Sequence, residues 1–240
     1  MKQVTKQNVL LSALLLPLSY FFSDNVFAGA EDDPVLSKVL IDQLEVRDTG
    51  DHPIVLQGQA WVGQDLQKLW IKTEAQRTNS ATNDVEVQAL YSRAVSPYWD
   101  VQAGIRNDFK PLPERTWAVV GLQGLAPYFF NINSALFFGE GGRVALRFDA
   151  EYEQLITQKL ILSPDIGVNV YGQNDAVIGV GAGLSDIKAG LRLRYEIRRE
   201  FAPYFGVNWS KKYGNTGKMA QQAGEVVEDS QWVVGIRTWF

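Results

Sequence analysis

Apolar and polar residues exchange places at every second position through much of this chain. The stretch 188–201, KAGLRLRYEIRREF, is the sharpest case: Leu191, Leu193, Tyr195 and Ile197 alternate with Arg192, Arg194, Glu196 and Arg198. A period of two is a strand signal and gives the strand one apolar and one charged face. In RVALRFDAEYE, Val144, Leu146, Phe148 and Ala150 oppose Arg143, Arg147, Asp149, Glu151 and Glu153. Around LWIKTEAQR, Leu69, Ile71, Thr73 and Ala75 oppose Lys68, Trp70, Lys72, Glu74 and Gln76. YWDVQAGIRND sets Trp99, Val101, Ala103 and Ile105 against Asp100, Gln102, Arg106 and Asp108. In NDVEVQALYSR, Val85, Val87, Ala89 and Tyr91 oppose Glu86, Gln88 and Ser92, and Leu90 interrupts the pattern. Ile166, Val168 and Val170 alternate with Asp165 and Asn169. Segments 116–125 and 128–138 are apolar on both phases, so their facing stays open.

Each segment runs for about ten residues, the length of a tilted membrane strand. The connections alternate in character. GQDL, SPY, LAP, QLIT and REFAP are short; DTGDHP, TNSATND, KPLPER, GEGG, GQNDAVIGVGAGLSD and GNTGKMAQQAGEVVEDS are looser. Counting KVLIDQLEVR as the first strand brings the total to about twelve, an even number as bacterial barrels require. The predicted fold is therefore all-β: a transmembrane antiparallel β-barrel with a polar lumen, short periplasmic turns and longer external loops. Its apolar face meets lipid and its charged face a wet interior. A secreted soluble sandwich, with the faces used the other way round, is the competing fold. The final strand, QWVVGIRTWF, ends on Phe240, which looks like the signal read by the outer-membrane assembly machinery.

The first residues refine the address. Lys2 and Lys6 precede an apolar run containing Pro17, and NVFA ends at Ala28 with small residues where a secretory signal is cut. The predicted organisation is a signal peptide over 1–28, a short acidic tail over 29–37 and a barrel over 38–240. Lipid of the cell outer membrane is the expected surround. Composition narrows the chemistry. There is no cysteine, one histidine (His52) and two methionines, which excludes thiolate nucleophiles, disulfides and zinc–thiolate sites. A formal net charge of -4 gives no field for nucleic acid. Aromatics make up 12% of the chain, enough for interfacial girdles.

The inward phase gathers a charge cluster: Glu74, Glu86, Asp100, Arg106, Arg147, Asp149, Glu151, Asp165, Arg192, Arg194 and Glu196. Such groups either pair into networks that fill and stiffen a small barrel or line a path that selects ions. GVGAG, at 179–183, lacks the Lys-Ser/Thr that a phosphate loop needs and reads as external loop. Asp51 and His52 could activate water at a rim, but no serine is placed beside them, and no enzyme activity is expected. Met219 reads as a loop residue.

Several long stretches resemble the copper resistance protein B family: VQALYSRAVSPYWDVQAGIR, the run from RTWAVVGLQGLAPYFF through LILSPDIGVNVYG, and GLSDIKAGLRLRYEIRREFAPYFGVNW. The resemblance covers about Lys38 to Phe240. It implies an outer-membrane barrel serving copper resistance or homeostasis in Gram-negative bacteria, copper as the bound metal, no organic cofactor, and a periplasmic multicopper oxidase as partner. Many members carry a Met- and His-rich segment ahead of the barrel. Here that place holds GAEDDPVLSK, with neither residue. Thioether suits Cu(I) and imidazole Cu(II). Any copper held here would depend on carboxylates, His52 or Met219, so tight storage is not expected. Three functions stay in play: a barrel that handles or passes copper, a non-specific porin or plugged structural barrel, and a rim enzyme using Asp51 and His52.

Overall fold

A computed structural model describes residues 33–78 and 81–240. The expected signal peptide and the first residues of the expected tail lie outside the described residues. Val35–Phe240 forms one compact unit. Its strands are β1 (Leu36–Arg47), β2 (Ile54–Gly63), β3 (Gln67–Arg77), β4 (Thr82–Ser96), β5 (Trp99–Lys110), β6 (Arg115–Ala126), β7 (Phe130–Gly139), β8 (Val144–Glu151), β9 (Gln154–Leu155), β10 (Leu160–Tyr171), β11 (Gly183–Tyr195), β12 (Phe201–Lys212) and β13 (Glu228–Trp239). Each strand pairs antiparallel with its neighbour, β13 pairs with β1, and β9 only extends the hairpin between β8 and β10. The result is a closed barrel of 12 strands. Closure leaves no free edge in the wall. β1 begins at Leu36, inside the stretch expected to be tail, because Leu36 and Ser37 already pair with Gly63 and Val62.

The alternation has its expected sidedness. Leu69, Ile71, Ile105, Phe148, Leu191, Phe205 and Val234 are exposed on the outside. Glu86, Arg106, Asp108, Arg192 and Arg194 are buried inside. Such an exterior is the reverse of a water-soluble protein and matches a hydrocarbon surround. No helix among the described residues is long and apolar enough to cross a membrane, so strands alone would make the crossing.

The segments of open facing are resolved by what they touch. Trp117 and Val119 of β6 and Ala135 and Phe137 of β7 point inward with Leu90 and Ala145, forming a buried apolar cluster against Trp70 and Tyr171. Both faces of this wall are apolar because one meets the surround and the other packs a dry patch inside the lumen. Leu90, which interrupts the β4 pattern, keeps the inward phase and belongs to this patch. The long connection 213–227 also departs from expectation. It contains a helix, α1 (Gly214–Ala223), ended by Gly224 at φ 72, whose N–H donates to the carbonyls of Ala220 and Gln221. Glycine takes that left-handed turn without steric cost.

Candidate functional site

The lumen is built from three ionic networks and a dry patch. The first joins the start of the chain to its end. Glu45 of β1 has a fully buried side chain. It accepts from Arg192 Nε at 3.1 Å and Nη2 at 3.2 Å, from Arg47 Nε at 2.9 Å and from the Tyr204 hydroxyl at 3.1 Å. Arg192 also pairs with Asp165 and donates to Gln43 Oε1 at 3.2 Å. Tyr204 reaches Glu45 by lying over Gly235, where an added Cβ would stand 2.6 Å from its hydroxyl. The network therefore ties β1 to β10, β11 and β12 around the closing seam. Charge-assisted bonds of this kind are about twice as strong as neutral ones.

The second network crosses the lumen. Arg147 of β8 grips Glu86 of β4 with two parallel bonds of 2.9 Å each. Glu86 also meets Arg106 at 2.8 Å and accepts from Gln88 at 2.6 Å. Arg106 holds Asp108, which accepts from the Trp117 indole N–H at 2.9 Å. Glu74 and Glu86 stand directly opposite in the β3–β4 ladder, a destabilising like-charge pair that these arginines offset. The guanidinium carbons of Arg106 and Arg147 lie 4.7 and 5.5 Å from the Phe137 ring centre. Cations over an aromatic face bind it through the ring quadrupole. The dry patch thus serves as a floor for the bridge.

The third lies at the end carrying the short turns. Arg237 meets Glu153 at 2.7 Å and Asp42 at 3.4 Å, and Arg194 meets Glu153 at 3.0 Å. Glu153 sits beyond the last residue of β8. Burial would raise its pKa, but Arg237 and Arg194 outweigh that and hold it below the usual carboxylate range. A lowered pKa means stability present at neutral pH and lost as pH falls from about 4.5 toward the folded value. Wild type should therefore outlast Glu153→Gln in thermal unfolding in detergent at pH 7, and the gap should close on acidification through that window. A gap independent of pH would refute the assignment.

At the opposite end, the connection 172–182 folds inward. Asp175 meets Arg115 at 2.9 Å and Arg143 at 3.2 Å. Its other side is fastened to α1, where Thr216 accepts from the Gly181 N–H at 2.8 Å and donates to Ser185 at 3.0 Å. Ile178, Gly179 and Val180 line the space beneath. GVGAG is therefore part of a cover over the mouth, and no phosphate loop.

What remains is a cavity of about 950 Å³ bordered by residues from both ends of the barrel. Of the expected cluster, Glu74, Glu86, Arg106, Arg147, Asp149, Glu151, Asp165, Arg192 and Arg194 line it. Asp100 instead accepts from Ser92 at 3.1 Å, and Glu196 stands 3.9 Å from Arg194; neither lines the cavity. Arg198, expected inward, falls in the turn after β11, where the alternation has ended. His52 is exposed, at φ 41, and borders a separate hollow of about 300 Å³ with Val46, Trp232 and Val234. Met219 is on α1, so these two candidate ligands share no cavity. Among the described residues no group of three His, Cys, Asp or Glu is arranged to hold a metal ion. Sequence reasoning missed Glu45. A bulge between Ile41 and Leu44 breaks the β1 pattern and lets both Asp42 and Gln43 border the cavity.

The architecture is that of a narrow porin-like barrel. It is similar to the solved structure of the NanC porin, with a TM-score of 0.56, 16% identity and coverage of 85% of this chain and 99% of that one. The KdgM porin gives a TM-score of 0.51, 13% identity and coverage of 85% and 99%. These likenesses concern the fold. The family described as "Copper resistance protein B precursor (CopB)" matches residues 35–240, and the chain belongs to it. It is 46% identical over 210 residues to "Copper resistance protein B" of Escherichia coli, covering 87% of this chain and 71% of that protein. Against the "Copper resistance protein B homolog" of Pseudomonas syringae pv. tomato the identity is 44%, with the same coverage.

Proposed function

We propose that this chain is an outer-membrane barrel of a Gram-negative cell that supports copper resistance by handling copper in its lumen and passing it between the two sides. The observation that carries this reading is the cavity of about 950 Å³, bordered by charged side chains from both ends of an otherwise apolar-coated barrel. Membership of the copper resistance family supplies the cargo. The role is that of a conduit, with no bond made or broken. A periplasmic multicopper oxidase is the proposed partner on the turn side.

Deleting the gene should change cell-associated copper and slow growth under copper stress, and the wild-type copy should restore both. An unchanged copper content together with unchanged growth would sink the proposal. Two observations favour a second reading: the Arg147–Glu86 bridge and the cover held by Asp175 both narrow the bore, as in a plugged structural barrel. Conductance in planar bilayers separates the two, since a plugged barrel passes no salt.

A further inference from the structure

The cavity is balanced in sign: ten acidic and ten basic side chains line it, with no histidine, cysteine or methionine among them. A cleft lined by one sign concentrates an oppositely charged solute; a balanced one does not. A bare divalent cation meets arginine and lysine here as often as carboxylate. Glu86, Asp108 and Asp165 are already held by arginines.

Lining charges outside the ion pairs include Asp149 and Lys188, together with Asp84 and Lys110. Asp149 of β8 and Lys188 of β11 occupy one cross-strand row, with Gly167 of β10 between them. Gly167 leaves the space open, and Asp149 Oδ1 leans to 3.0 Å from where a Cβ would stand. Among the described residues neither Asp149 nor Lys188 makes a hydrogen bond or an ion pair. A second ammonium is at hand. Lys72 Nζ donates to Gln123 Oε1 at 2.8 Å, and Gln123 belongs to the same row. Glu74, 3.9 Å from Arg147, supplies a second carboxylate on the same cavity wall. Two carboxylates, Asp149 and Glu74, and two ammonium groups, Lys188 and Lys72, thus border one cavity.

We propose that these four groups form a binding site for small, net-neutral solutes that carry amine and carboxylate together, such as an α-amino acid or its neutral bis-chelate with a divalent metal. Copper then travels as such a chelate and not as the bare ion. The amine N–H groups donate to Asp149 and Glu74, and the carboxylate oxygens accept from Lys188 and Lys72. A neutral chelate brings its own ligands, so the wall needs no metal-binding cluster, and its transfer strips no water from a dication. The copper half rests on the conduit reading above; the site itself does not.

The test uses the full chain reconstituted in liposomes. Copper is offered as the aquo ion or as bis-glycinate, and labelled glycine is offered without metal. The chelate should enter about tenfold faster than the aquo ion, because the bare dication must shed tightly held water to meet the wall and the neutral chelate need not. Asp149→Asn and Lys188→Met should each slow both chelate and glycine severalfold. Equal entry of the two copper forms overturns the copper half, and variants that leave glycine entry untouched overturn the site. Glycine entry sensitive to both variants, with copper excluded in either form, keeps the site and removes the conduit reading. Should a variant fail to assemble, judged by heat-modified gel migration, the wild-type ratio of chelate to aquo ion still decides the copper half, and wild-type glycine entry no faster than that of an uncharged solute of its size overturns the site.

Discussion

Glu45→Ala should weaken the barrel by about 3–5 kcal/mol, the usual cost of leaving buried partners of an ion pair uncompensated. The side chain is fully buried and answers Arg192, Arg47 and Tyr204 at once. Arg192 keeps Asp165, but Arg47 loses its only ion-pair partner among the described residues. The damage falls on the seam, where the first strand must find the last. Thermal unfolding in detergent, followed by heat-modified gel migration, should shift to markedly lower temperature. Glu45→Gln should do less harm, because an amide oxygen still accepts from Tyr204. A Glu45→Ala barrel as heat-resistant as wild type would show that closure rests on the β1–β13 ladder alone.

Arg147→Ala should have the second large effect, and on passage as well as stability. It removes both bonds to Glu86 and the ion pair to Glu74, leaving two carboxylates opposite each other with Arg106 still paired to Glu86. The lost bonds cost about 3–5 kcal/mol by the same reasoning. The chord from β8 to β4 disappears, so single-channel conductance should rise severalfold. Glu86→Gln combined with Arg147→Met should recover much of the stability, since no carboxylate is then left facing Glu74 across the ladder, while conductance stays altered. Conductance identical to wild type in Arg147→Ala would mean that the bridge does not set the bore. In that case the cover held by Asp175 becomes the limiting element.

Much of this was readable in the residues because it is local. Alternation at 69–76, 99–108, 144–151 and 188–195 assigns each side chain to a face whatever the rest of the chain does. Segments 116–125 and 128–138 could not be assigned, since alternation carries no information where both faces are apolar. Only the packing of Trp117 and Phe137 under two guanidinium groups decides it. α1 was passed over among glycines. Its one clear signal was Gly224, a helix-ending residue after MAQQA.

By itself the sequence determined the sidedness of the wall, the even strand count and the rhythm of short and long connections. Period-two patterning and turn chemistry are properties of neighbours in the chain. Tertiary structure alone decided which charge meets which. Glu45 and Arg192 are 147 positions apart, and Glu86 and Arg147 are 61. Their meeting depends on the register at which the sheet closes and on a bulge near Asp42 that shifts it. Register is a property of the finished ring, so no strand read singly contains it.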